Sequence, residues 1–269
     1  MALGSYLDIG RMDELARGET PVHRLDARAK LITTLIFIVT VMSYPRYEVS
    51  ALVPLFVFPV AMVVAGNLPV LVLLRKLAVA LPFALFVGMF NPLLDRHAGT
   101  VIGSQAISGG WLSFGSILLR FVLTVGAALV LIACTGIHRL CAGMERMGMP
   151  KVFAVQLLFL YRYFFVIGDE GQRMRRSVEI RGAGRPQAMG IRVYGHLIGA
   201  LLLRAIDRAR RIHGTMLARG FDGEIRLLES AMPGWRDAAF VLGWTVFFLA
   251  ARVWNLSEVI GQWVTRGGA

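Results

Sequence analysis

Cysteine and charge are both scarce in this chain, acidic charge most of all. Of 269 residues two are Cys, and only 17% are charged, with 17 Asp and Glu against 29 Lys and Arg. Two cysteines cannot make a disulfide scaffold. Cys134 and Cys141 stand seven apart near the end of one apolar segment, where a continuous helix holds them too far apart to bridge. They read as packing residues of a reducing compartment. No Gly-x-x-x-x-Gly-Lys-Ser/Thr stretch occurs, which excludes phosphate binding by a P-loop. The five histidines (His23, His97, His138, His196, His213) show no i, i+4 pair and no cysteine-rich spacing, so no zinc-like ligand set is expected. The first thirty residues lack an apolar h-region, so no cleaved signal peptide is expected.

What the chain has instead is apolar surface. Hydrophobic residues make up 56%, and the mean hydropathy is +0.63. Long windows carry no charge at all, which predicts an all-α integral membrane protein. Five spans are expected: Leu31 to Tyr44, Val49 to Ala65 with kinks at Pro54 and Pro59, Leu77 to Leu94, Trp111 to Thr135, and Ala238 to Val253. Asp26 is placed to cap the helix opening at Ala27. Residues 95–110 read as a polar loop. The segment 152–167 is apolar but carries Gln156 and Arg162 and is short for a span, so a packed interfacial helix is expected there. The net charge of +12 is concentrated between the fourth and fifth spans. By the positive-inside rule this puts the N-terminus and that region in the cytoplasm of a bacterium, with the spans in its inner membrane. The expected partition is 1–135 (lead-in and four spans), 136–236 (a cytoplasmic and interfacial helical domain), and 237–269 (last span and tail).

Within that domain two stretches match at an offset of 38. Ile167, Gly171, Met174 and Val178 lead to Arg181 and Gly182. Ala205, Ala209, Ile212 and Met216 lead to Arg219 and Gly220. The 4-3-4 spacing lines each set along one helix face. Each stripe ends in a cation suited to the C-terminal dipole and a glycine suited to stopping a helix. Ala16-Arg17-Gly18 has the same ending with no stripe before it, so the tripeptide alone means little. An apolar stripe suits a helix laid in a groove, and a terminal guanidinium can fork onto a carboxylate there. Losing one partner of such a desolvated pair costs on the order of 2–5 kcal/mol. Two matched devices suggest a partner with two equivalent grooves, such as a symmetric dimer.

His23 to Leu31 (HRLDARAKL), Met144 to Pro150 (MERMGMP), Leu160 to Gly182 and Met216 to Ile225 (MLARGFDGEI) together resemble the transmembrane coupling subunit of energy-coupling factor transporters, in the CbiQ branch associated with cobalt uptake. The resemblance runs from about residue 10 to about 250. It matches Glu179-Ile180-Arg181-Gly182 to the first coupling motif and Ala218-Arg219-Gly220 to the second. The first lacks the alanine before its arginine, so the shared chemistry rests on Arg-Gly. The resemblance implies two crossing amphipathic helices seated in an ABC-type, CbiO-like ATPase dimer, which binds the ATP and Mg. It also implies a CbiM-like membrane subunit, with a CbiN-like small subunit, that holds the cobalt or nickel. No cofactor, metal or catalytic residue is then expected in this chain, which is a non-catalytic coupler. Met174, Val178, Ile212 and Met216, with Arg181, Gly182, Arg219 and Gly220, are the expected ATPase-facing residues. A competing reading is a polytopic membrane enzyme acting on anionic lipid, with Asp169, Glu170 and Asp207 as carboxylates. A basic anchor for nucleic acid is disfavoured, because aromatics are not interleaved near the Arg-Gly ends.

Overall fold

In the computed structural model of the chain, the described residues are 15–16, 18–45, 49–94, 101–102, 105–106, 109–181, 190–223 and 234–253. They divide into two compact units, one of residues 11–143 with 231–269 and the other of residues 144–230 with 1–10.

The first unit is a helical bundle. Helix α1 (Pro21–Arg24) is a single turn with proline in its first positions. Helix α2 (Ala27–Met42) starts where Asp26 Oδ1 accepts the Arg28 N–H at 2.8 Å, the N-cap expected from sequence. The predicted second span is a composite. Residues Ser50–Phe56 wind as a 3-10 helix containing Pro54, and only Val57–Ala65 form α3. Proline removes an N–H and crowds the preceding turn, so the tighter winding takes up the run. Helix α3 stops at Asn67, whose φ of 49° lets Leu68 N–H return to the Val63 carbonyl.

Helix α4 (Val70–Leu94) and helix α5 (Gly109–Thr135) are the long members of the bundle. Gly88 is where they approach closely: a Cβ there would meet the Phe114 ring at 2.9 Å. Between them lies a two-residue ladder, β1 (Val101–Ile102) with β2 (Gln105–Ala106), antiparallel with Val101 opposite Ala106. The loop expected from sequence thus pairs locally, its β-branched Val and Ile favouring extended backbone. Helix α5 ends at Gly136 (φ 73°), and α6 (Ile137–Arg146) follows at once. Cys134 and Cys141 therefore sit on two helices rather than one. Both are free and buried.

Helix α9 (Trp235–Val253) completes the bundle. Its Trp244 and Phe248 close an aromatic cluster with Phe37 of α2 and Phe58 of α3, with ring centroids 4.8 to 5.9 Å apart. Such pairs contribute about 0.5–1.5 kcal/mol each beyond their burial. Leu123, Ala127, Val130 and Cys134 of α5 join this core at helical spacing. Outside it, Val79, Phe83 and Phe86 form an exposed stripe on α4, 66 to 82% accessible. Water would not tolerate that stripe; lipid tails do.

The second unit contains α7 (Lys151–Arg181) and α8 (Ile191–Ala218). By length and composition, three helical segments among the described residues suffice to cross a bilayer: Val70–Phe90, Gly110–Thr135 and Lys151–Arg181. The run Ser50–Ala65 is shorter. The apolar half of α7 is thus continuous with its polar half in one 31-residue helix, about 46 Å long at 1.5 Å per residue.

Candidate coupling surface

Polar residues dominate the end of α7 and are concentrated in α8 from Arg204 to Thr215, and two features hold these helices in place. Glu170 of α7 accepts from Arg204 of α8 at 2.5 Å and from Arg173 at 2.8 Å. Those two guanidiniums hold its carboxyl below the ordinary carboxylate value. Beside this link, Leu201 packs against Gly171, within ordinary contact distance (3.5 Å) of where a Cβ would stand. Arg175 pairs along its own helix with Glu179 at 2.9 Å.

From this contact the helices enclose a groove of about 780 Å³. Phe159, Tyr163, Phe164 and Ile167 line one wall, and Ala205, Ala209, Ile212 and Met216 line the other. Arg175, Arg208 and His213 also line it. The stripe of α8 found in the sequence is therefore the α8 wall of a groove within this unit. The α7 stripe contributes Ile167 and Gly171 to the same groove, whereas Met174 and Val178 are half-buried and not among its lining residues.

Helix α8 ends as its sequence dictates. Gly220 takes φ 79° and returns its N–H to the Leu217 carbonyl at 3.0 Å, and Phe221 N–H reaches the Met216 carbonyl at 3.0 Å. That double return is the Schellman stop, and the Phe221 side chain joins Met216 in the groove. Phe221 escaped the sequence reading, although an aromatic one place after the stop glycine is the usual companion of this cap. Arg219 is exposed in the cap itself, at the negative end of the helix dipole. Arg181, also exposed, is the last residue of α7. Gly182 lies outside the described residues, so its predicted role as a stop has no geometry here.

Of the carboxylates in the enzyme reading, Glu170 is poorly placed for proton transfer. Glu170 is committed to two arginines, which favours its ionised form and opposes the raised pKa of a general acid. Among the described residues no three His, Cys, Asp or Glu side chains cluster at metal-binding distance.

The profile of the CbiQ family, described as cobalt transport protein, matches residues 18–229. The energy-coupling factor transporter transmembrane protein EcfT of Heliobacterium modesticaldum is 26% identical over 95% of this chain and 97% of its own length. Its counterpart in Bacillus subtilis is 25% identical over 77% of this chain and 82% of its own length. The cobalt transport protein CbiQ of Rhodobacter capsulatus is 32% identical over a shorter stretch, 34% of this chain and 37% of that one. A family match over most of the chain, on a bundle with membrane-length apolar helices, leads to one conclusion: this membrane protein belongs to the CbiQ family, the transmembrane components of energy-coupling factor transporters.

Proposed function

We propose that the chain is the mechanical link between an ABC-type ATPase dimer and a membrane subunit that captures a divalent metal ion, cobalt in the first instance. Supporting this reading most directly is the pairing of two helices that each end in an exposed arginine, one of them stopped by the Gly220 turn. A guanidinium at a helix end is free to enter a carboxylate-bearing groove on another protein. ATP-driven closure of the dimer would then shift the ends at Arg181 and Arg219 against each other. The groove walls, Ile212 and Met216 among them, would carry that shift along α8, while Met174 and Val178 would seat α7 against the ATPase.

Cobalt as the substrate is supported by the family's description and by the name of the Rhodobacter relative. CbiO-like and CbiM-like partners follow from the same reading. So does the orientation: the N-terminus and residues 144–230 on the cytoplasmic side of a bacterial inner membrane. If α7 crossed fully, Arg173, Arg175, Arg176 and Arg181 would reach the far side, against the positive-inside rule. Its apolar half therefore lies along the cytoplasmic boundary of the bilayer. Hydrolysis belongs to the partner, and this chain contributes no catalytic group.

The test is radiolabelled cobalt uptake by cells carrying the Arg181→Glu, Arg219→Glu double variant. Insertion into the membrane stays at the wild-type level, and uptake falls to background, a loss of about 100-fold or more if both forked pairs are desolvated. Normal uptake by the double variant would overturn the reading.

A further inference from the structure

In the first unit, the segment His23 to Lys30 is a knot of buried polar groups with few equals in the bundle. Lys30 is 1% exposed, and its Nζ donates to the carbonyl of Cys134 at 3.1 Å. That carbonyl lies at the end of α5, two residues before Gly136 redirects the chain into α6. Arg139 of α6 reaches the His23 carbonyl at 3.3 Å. On the other side, Asp26 N–H donates to Asp237 Oδ1 at 2.8 Å. Asp237 Oδ2 accepts from Gly234 N–H at 2.7 Å, closing a reciprocal cap on the start of α9.

Chain connectivity gives this knot its interest. The chain passes between the two units at 10/11, at 143/144, which lies inside α6, and at 230/231, before α9. His23 holds α6, Asp26 holds the start of α9 and Lys30 holds the end of α5, by hydrogen bonds that bridge at least 104 residues of sequence. A displacement of residues 144–230 reaches the bundle through α6, which continues across 143/144 and meets this knot at Arg139.

The knot also has unmet demand. Among the described residues, Asp26 Oδ2 and Thr135 Oγ1 are buried with no hydrogen-bond partner. Lys30 spends one of its three N–H groups on Cys134. Buried polar groups that are only part-satisfied pair differently after a small shift, so the network favours two discrete arrangements over continuous bending.

We propose that Lys30, Asp26 and Asp237 are positioning residues that relay movement of the 144–230 unit into the membrane bundle, by re-pairing around the α5–α6 corner and the start of α9. This inference rests on the coupling function proposed above. Its test uses the complete transporter, this chain with its ATPase and capture subunits, in proteoliposomes, reading cobalt taken up per ATP hydrolysed. Lys30→Met keeps the length and apolar stem but removes the ammonium. The expected result is normal assembly and ATP hydrolysis with uptake per ATP lowered about tenfold, inside the range typical of coupling between sites. Asp237→Asn, which can accept only one of the two N–H groups, lowers the ratio about threefold and decides the matter if the Lys30 variant fails to insert. A merely structural defect reduces hydrolysis and uptake together and leaves the ratio unchanged. An unchanged ratio in the assembled variants overturns the relay. Failure of the wild-type chain to recruit an ATPase would instead overturn the coupling function itself.

Discussion

Positive charge is handled in opposite ways by the two units. In the bundle, among the described residues, Lys30 donates to the backbone carbonyl of Cys134, Arg120 to those of Tyr44 and Pro45, Arg139 to that of His23 and Arg252 to that of Ser43. In the 144–230 unit, Arg173, Arg175 and Arg204 pair with carboxylates on the helix surface. Carbonyls at helix ends and corners are fixed by the fold, so cations bound to them hold the fold in return. Surface ion pairs are screened and individually weak. The difference teaches that the bundle uses these charges as fasteners, whereas the other unit carries Arg173, Arg175 and Arg204 in exposed, screened pairs.

Truncating a fastener should have the largest effect on stability. Lys30→Ala leaves a cavity and an orphaned Cys134 carbonyl, and should lower the unfolding free energy by about 2–4 kcal/mol, read as a drop in Tm of the purified chain. Equal Tm values for wild type and variant would erase the distinction between the units.

Gly220→Val comes next. The φ of 79° is strained for a side chain, more so for a branched one, and costs about 1–2 kcal/mol. Because the cap presents Arg219, cobalt uptake should suffer more than Tm. A variant with lowered Tm and full uptake would mean that the cap matters only locally.

A smaller effect is expected from pH. His23 Nε2–H donates to the Leu15 carbonyl at 3.0 Å, and its Nδ1 accepts from the Thr20 hydroxyl at 2.6 Å, so the ring is satisfied while neutral. Burial pushes its pKa below the ordinary 6.5, the Leu15 carbonyl works against this, and Lys30 and Arg139 add to the lowering. Between the lowered value and 6.5 the unfolded chain binds more protons, so stability falls as pH drops through that window. Acidification from about pH 7 to about pH 5 should lower the Tm of wild type more than that of His23→Gln. Parallel curves would remove His23 from the account.

The smallest effect belongs to Glu170→Gln. It weakens the exposed pairs to Arg173 and Arg204, and Tm should not move measurably. A large drop would show that this unit, too, is fastened by charge.

Much of this arrangement is legible in residues close together in sequence. The Asp26 cap, the stop at Gly220 and the inward face of Ile212 and Met216 follow from local rules of spacing and backbone freedom. The break at Gly136 was not legible, because one glycine inside an apolar run is ordinarily absorbed by the helix. Nor was the role of Lys30. A lysine at the head of an apolar run reads as an interfacial marker, and its acceptor lies 104 residues away. Likewise, the α7 and α8 stripes look equivalent as sequence. Only packing sets Gly171 against Leu201 and leaves Met174 and Val178 away from the groove.

The central claim is that the exposed arginine ends dock on a nucleotide-driven partner. Its most direct measurement is co-purification of an ABC-type ATPase with the tagged chain from its native membrane. The account predicts a stable complex for wild type and loss of the ATPase from the Arg181→Glu, Arg219→Glu chain, with that chain still inserted in the membrane. Retention of the ATPase by the inserted double variant would contradict it.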